Sequence, residues 1–135
     1  MRVVIDTNVV ASAIFFGGKP KELIDHVMND RMEAYASRDI LDEYMDTVEC
    51  LKVKFPQKAP NIPLMDIARK CNLVQVESKV DICRDPDDNK FIECALDSDC
   101  YYIVSGDKDL LTVGEYEGIH IMTVADFLKQ YESFH

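Results

Sequence analysis

Residues 1–10 read MRVVIDTNVV, and the reading of this stretch decides the fold. Four of the first five residues are apolar, and Val3, Val4 and Ile5 are β-branched. A continuous run of that kind marks a strand covered on both faces, the type found inside parallel sheets. Asp6, Thr7 and Asn8 then end the run abruptly. A carboxylate at the end of a buried strand is either an exit from the core or a ligand, and the rest of the chain has to decide which.

With 135 residues, of which 47% are hydrophobic, the expectation is one domain spanning 1–135 with a sizeable core. No run of about eighteen apolar residues is present, so no membrane span is expected. Asp6 and Asn8 interrupt the apolar run at the N-terminus, which argues against a signal peptide and for a cytoplasmic protein. Five cysteines, odd in number and never in a C-x-x-C pair, argue against a disulfide scaffold and a structural zinc site. Buried free thiols are expected instead. His26, His120 and His135 lie far apart and form no H-x-x-x-H pattern. Fifteen basic against twenty-five acidic residues give a net charge of −10. That balance speaks against generic nucleic-acid binding, which rests on lysine and arginine. Surplus carboxylates also suit a cation site, so their positions matter more than their number.

Outward from the first strand, GGKP forms a loop, and Pro20 suits the first turn of a helix running to about Asn29. EAYAS is a short strand. In RDILDEYMDTVECL, Ile40, Tyr44, Val48 and Leu51 recur at helical spacing. FPQKAPNIP holds three of the five prolines and reads as a loop. A helix through LMDIARKC and a strand LVQVE follow. CRDPDDNKFIECALDSDC is a loop feeding a helix, YYIVS a second buried strand, and GDKDLL a turn away from it. GIHIMTV closes the sheet and ADFLKQY is a last helix. Strands alternating with helices predict an α/β domain with a mostly parallel sheet and helices on both faces.

In open parallel sheets, sites form beyond the carboxyl ends of the strands, where strand order reverses. Asp6 follows RVVI and Asp107 follows YYIVSG, so two strands end alike, although each aspartate alone also suits a helix cap. In RDPDDNKFIECAL, Asp85 suits an N-cap, Pro86 the first helical position, and Asp87 and Asp88 the first turn. Acids there also favour the positive end of the helix dipole. Asp88 goes further: it precedes Phe91, Ile92 and Ala95 at helical spacing and so faces the apolar side. A carboxylate aimed inward is costly unless it is paired or coordinated. Along RDILDEYMDTVE, Asp39, Asp42, Glu43, Asp46 and Glu49 crowd a solvent face. Periodicity places Glu43 at one flank of that face and does not single it out.

Together, VVIDTNVVASAIFFGG, SRDILDEYMDTV, DPDDNKFIECAL and YYIVSGDKDLL resemble the PIN domain family, and in particular its VapC-like toxin branch. The similarity runs in order from Arg2 to about Leu128. It implies a three-layer α/β/α fold around a mostly parallel sheet of about five strands. It also implies a ribonuclease whose acids bind one or two Mg²⁺ or Mn²⁺ ions. By position the family's acids fall on Asp6, Glu43, Asp88 and Asp107, with Asp109 an alternate to Asp107 as a metal ligand. Thr7, Asn8 and Ser105 match the polar positions that steady the carboxylates. The same resemblance implies the toxin of a type II toxin–antitoxin pair, a small antitoxin partner and a homodimer.

Several oxygen ligands without thiol or imidazole suit a hard divalent ion, and such an ion supports phosphodiester hydrolysis. Lys90, Lys108, Arg84 and Arg38 lie beside the acidic motifs and are candidate RNA backbone contacts, although any single one is more often plain surface charge. KVKFPQK is a modest basic loop, equally open. Three other readings remain at this point: a PIN-fold module that binds RNA or protein without turnover, a DNA-directed nuclease, and a phosphatase. The last uses a D-x-D pattern, and here the second position is Asn8.

Overall fold

The computed structural model describes residues 1–134. Its elements are β1 (Arg2–Ile5), α1 (Thr7–Phe15), α2 (Gly18–Met28), β2 (Glu33–Ser37), α3 (Arg38–Lys54), α4 (Leu64–Lys70) and β3 (Asn72–Val74). A 3-10 turn (Pro86–Asp88) leads into α5 (Asn89–Asp97). Then come β4 (Tyr102–Val104), α6 (Lys108–Val113), β5 (Glu115–Tyr116), β6 (Ile119–Met122) and α7 (Val124–Phe134). The strands form one six-stranded sheet in the order β3-β2-β1-β4-β6-β5, flanked by helices. All neighbours are parallel except β5 and β6.

The first strand behaves as its composition dictates. Val3 and Val4 are fully buried and Ile5 nearly so, at the centre of the sheet. The chain lays β2 and β3 outward on one side of β1, then returns to place β4 on the other. Strand order therefore reverses between β1 and β4, and a crevice opens beyond their carboxyl ends.

Four elements differ from the sequence-based expectation, one of them α6, which is a helix over Lys108–Val113 where GDKDLL reads only as a turn. Helix α1 reads as no more than the exit from the first strand, because TNVVASAIF has no polar stripe. Seven of its nine residues are buried, and a helix covered nearly all round shows no amphipathic period. The LVQVE strand stops at Val74, opposite Ser37, where β2 ends and α3 begins. The backbone amides of Glu77 and Ser78 instead donate to the Asp97 carboxylate at 2.6 and 2.8 Å. The sheet also has a sixth strand: β5 pairs antiparallel with β6 through Glu117 and Gly118, both at positive φ (48° and 84°). That backbone is the hairpin turn whose usual signal is Asn-Gly or Asp-Gly, so Glu-Gly reads as a plain loop.

One buried hydrogen bond ties the helical layer to the sheet. Tyr44 of α3 is 2% exposed, and its hydroxyl donates to the backbone carbonyl of Ile5, the last residue of β1. Tyr44→Phe keeps the ring and deletes this bond, so it should cost about 1–2 kcal/mol. Urea denaturation will check this; a midpoint equal to that of the parent would show that the bond does not support the fold.

Candidate active site

Register builds the site. Ile5 pairs with Val104, which puts Asp6 and Ser105 side by side one residue beyond the strand ends. The backbone extends this order, with Asp6 N donating to Val104 O and Ser105 N to Met122 O, both at 2.9 Å. The Ser105 hydroxyl donates to Asp6 Oδ2 at 2.6 Å, and its oxygen accepts from the Asp107 amide at 2.9 Å. Asp107 in turn opens α6, its Oδ1 accepting from Asp109 N at 2.7 Å. Ser105 is wholly buried and Asp6 is 4% exposed. Asn8 is exposed, and what it offers Asp6 is its backbone amide.

Glu43 lies on the second turn of α3. Its Oε1 accepts from the Thr7 hydroxyl at 2.5 Å, and its Oε2 forms an ion pair with Lys90 of α5. Lys90 also lies 3.3 Å from Asp87 Oδ1, and its side chain is only 17% exposed. The ammonium offered by sequence as a free RNA contact is thus held inside the site. The other three candidates stay in solvent: Lys108 at the start of α6, Arg84 before the 3-10 turn, and Arg38 at the start of α3.

The segment before α5 sets Asp88. Asp85 caps the 3-10 turn, its Oδ1 accepting from Asp87 N at 3.0 Å, with Pro86 first in the turn. Asp87 faces out and Asp88 faces in, as the apolar spacing predicts. The next residue, Asn89, is one that sequence reasoning missed. Its buried side-chain oxygen accepts from Ile82 N (3.2 Å) and Cys83 N (3.0 Å), fixing the preceding loop against α5. A lone asparagine in an acidic run carries no signal that would have found it.

Asp88, Asp107 and Asp109 converge, with one carboxylate oxygen from each lying within 4.8 Å of the others. Both candidates from GDKDLL therefore belong to the cluster. Asp88 Oδ2 is buried without a hydrogen-bond partner, a costly state for an isolated carboxylate. Burial, then the negative charges of Asp107, Asp85, Asp6 and Asp109, push its pKa up to about 7. Asp6 stands outside that trio but feels it. Burial raises its pKa, the Ser105 hydrogen bond opposes the rise, and Asp107 adds to it. Cys83 beside the cluster is pushed up to about 11, by burial first and the same carboxylates second, so it is a neutral thiol at pH 7.

With this geometry in place, the family pattern described as PIN domain matches residues 2–109. The chain belongs to the PIN domain family. It is also 32% identical to an uncharacterized protein of Methanocaldococcus jannaschii, over 99% of this chain and 94% of that protein. No solved structure is a significant match. PIN domains are in general nucleases, and the acidic crevice is compatible with that chemistry. Among the described residues, no helix of this PIN domain is long and apolar enough to cross a membrane. Its five cysteines are all free: Cys83, Cys94 and Cys100 are buried as expected, Cys71 partly so, and Cys50 is exposed.

The raised Asp88 carboxyl makes stability depend on pH with a definite sign. Below the ordinary value of 3.8, both folded and unfolded chains carry its proton. Between there and about 7, the folded chain keeps a proton that the unfolded chain has released, so stability without metal falls as pH rises. Thermal unfolding in chelator should show Asp88→Asn gaining on the parent across this window, by several degrees in Tm at its upper end. Parallel Tm–pH curves for the two proteins would refute the assignment.

Proposed function

We propose that this PIN domain, residues 1–135, is an endoribonuclease that hydrolyses RNA phosphodiester bonds with a divalent cation. The observation that carries the reading is Asp88, whose Oδ2 is buried without a donor among the described residues and whose carboxylate converges with those of Asp107 and Asp109. A set of hard, anionic oxygens with no imidazole and only a neutral thiol nearby suits Mg²⁺ or Mn²⁺. Asp88, Asp107 and Asp109 would hold it, with Asp6 beside them. Such a cation lowers the pKa of water and offsets charge on the attacked phosphate.

The chain's own groups divide the remaining work. Hydrolysis joins a water oxygen to phosphorus and breaks one ester P–O bond. Asp6, oriented by the Ser105 hydroxyl and raised in pKa by burial, is placed to take the proton that the water releases. Glu43 holds the Lys90 ammonium at the rim, and Thr7 fixes Glu43. Lys90 therefore offsets the charge of Glu43 on that flank of the crevice and lowers the repulsion an incoming phosphate would meet there. Because Glu43 already has a cation in Lys90, the donor set supports one metal ion in preference to two.

The resemblance to VapC-like toxins extends the proposal to a cytoplasmic toxin of a type II pair. Such a toxin would act as a homodimer restrained by a small antitoxin that enters the acidic crevice. Labelled RNA and DNA, incubated with Mn²⁺ and then with chelator, test the core of the reading. RNA should be cut internally only in Mn²⁺, and Asp6→Asn should lower the rate about 100-fold or more without altering the fold. Cleavage by Asp6→Asn at the parent rate would remove Asp6 from the chemistry, and cleavage in chelator would remove the metal.

A further inference from the structure

The acids of this chain are unevenly distributed. Its two longest stretches without aspartate or glutamate are residues 50–65 and 7–21. They meet in space: Asn61 N donates to Ile14 O at 2.7 Å, and Asn61 Nδ2 to Ala13 O at 3.2 Å. At this junction Phe16, the residue that follows α1, packs edge-on against Phe55, the residue that follows α3, with ring centroids 5.7 Å apart. Lys58 stands 4.3 Å from the Phe16 centroid and Lys54 5.7 Å from that of Phe55. Among the described residues, neither ammonium has a carboxylate within ion-pair distance, a state shared with Lys19, Lys79, Lys108 and Lys129, whereas Lys21, Lys52, Lys70 and Lys90 all have one. Phe16 is 53% exposed. A shallow cleft of about 300 Å³ runs along Lys54, Phe55 and Lys58.

An exposed ring, Phe16, packed on the half-buried Phe55 and flanked by two cations without carboxylate partners among the described residues, matches single-stranded nucleic acid, whose bases stack on rings while its phosphates take the charge. A duplex keeps its bases stacked internally and cannot use the rings. The position also suits a substrate. Helix α1 starts at Thr7, beside Asp6, and its nine residues span about 14 Å to Phe16. Helix α3 likewise carries Glu43 toward its start and Phe55 at its end. Two of the helices that contribute to the acidic crevice, α1 and α3, therefore end at the same basic, aromatic patch.

We propose that Phe16, Phe55, Lys54 and Lys58 form a binding site for unpaired RNA, which anchors the strand a few nucleotides from the bond cut in the crevice. This rests on the ribonuclease reading for its substrate, but binding and cleavage are separable. A contact between an exposed lysine and a ring is weaker than a base stacked on that ring, so Lys58 exchanges Phe16 for a phosphate when a base arrives.

The test measures binding of a fluorescent, unstructured RNA 12-mer by anisotropy in chelator, where bare carboxylates repel phosphate and the crevice contributes nothing. Lys54→Glu/Lys58→Glu should weaken binding about 10- to 30-fold at 0.1 M salt. It should also make the salt dependence shallower by about 1.4, since each phosphate contact on a single strand contributes about 0.7. The milder Lys54→Gln/Lys58→Gln pair should move both quantities in the same direction. Phe16→Ala should abolish the preference for single over double strands. In Mn²⁺, a trinucleotide too short to reach the patch should be cut equally by all variants. Unchanged RNA affinity and salt slope in both lysine pairs would overturn the proposal. So would a change confined to the sedimentation coefficient, which would mark the patch as a contact between copies of the chain. Lost affinity in the variants without Mn²⁺-dependent cleavage by the parent leaves the patch standing and removes the nuclease. Cleavage with unaltered affinity does the reverse.

Discussion

Like charges brought together in a poorly hydrated crevice are the constraint on which this structure depends. The Ile5–Val104 register sets Asp6 beside Ser105, and with it Asp107, at the centre of the sheet. The turn before α5 aims Asp88 at the same point. Ionised carboxylates this close destabilise one another, and burial denies Asp6 and Asp88 the water that would offset the repulsion. The chain can respond only by retaining protons, by supplying internal donors and cations, or by taking up a cation from outside.

All three responses have a place in the geometry. Asp88 retains its proton up to about pH 7. Asp6 receives the Ser105 hydroxyl, and Glu43 receives Thr7 and Lys90. What remains uncompensated is the Asp88–Asp107–Asp109 face. The site is thus divided: the α3 side is neutralised from within, and the side at the strand and helix termini is left for a ligand. Lys90 makes that division. A lysine at 17% side-chain exposure must put its charge on a partner, and Glu43 is what Lys90 meets.

Much of this was legible because the signals were local. Val3 to Ile5 predict a buried strand on composition alone, and Asp88 is placed inward by the spacing of Phe91, Ile92 and Ala95. Helix α1 was not legible, since a helix buried on nearly every side shows no periodicity to read. Strand β5 was not legible either, because two residues closed by Glu-Gly leave no distinctive turn signal. Glu43 marks the boundary of the approach. Its helix carries several acids on one face, and its tertiary partners, the Thr7 hydroxyl and the Lys90 ammonium, distinguish it from Asp39, Asp42 or Asp46. Pairing between distant parts of the chain is information that spacing does not contain, and resemblance to a family supplied it.

A net charge of −10 looks at odds with a polyanionic substrate only if charge is averaged over the molecule. At physiological ionic strength an exposed charge is screened within about 8 Å, so a phosphate responds to its immediate surroundings and hardly to the total. The acid-free stretches 7–21 and 50–65 together cover both helix ends at the basic patch, roughly 14 Å or more from the crevice and thus beyond that length. On the proposed reading, a strand held there would not feel the crevice acids strongly, and it would approach them only where a divalent cation reverses their sign. On this argument the acidity is not an obstacle that the protein overcomes. It would keep anions off every part of the crevice that lacks a cation, so that a phosphate would settle only where a cation is bound.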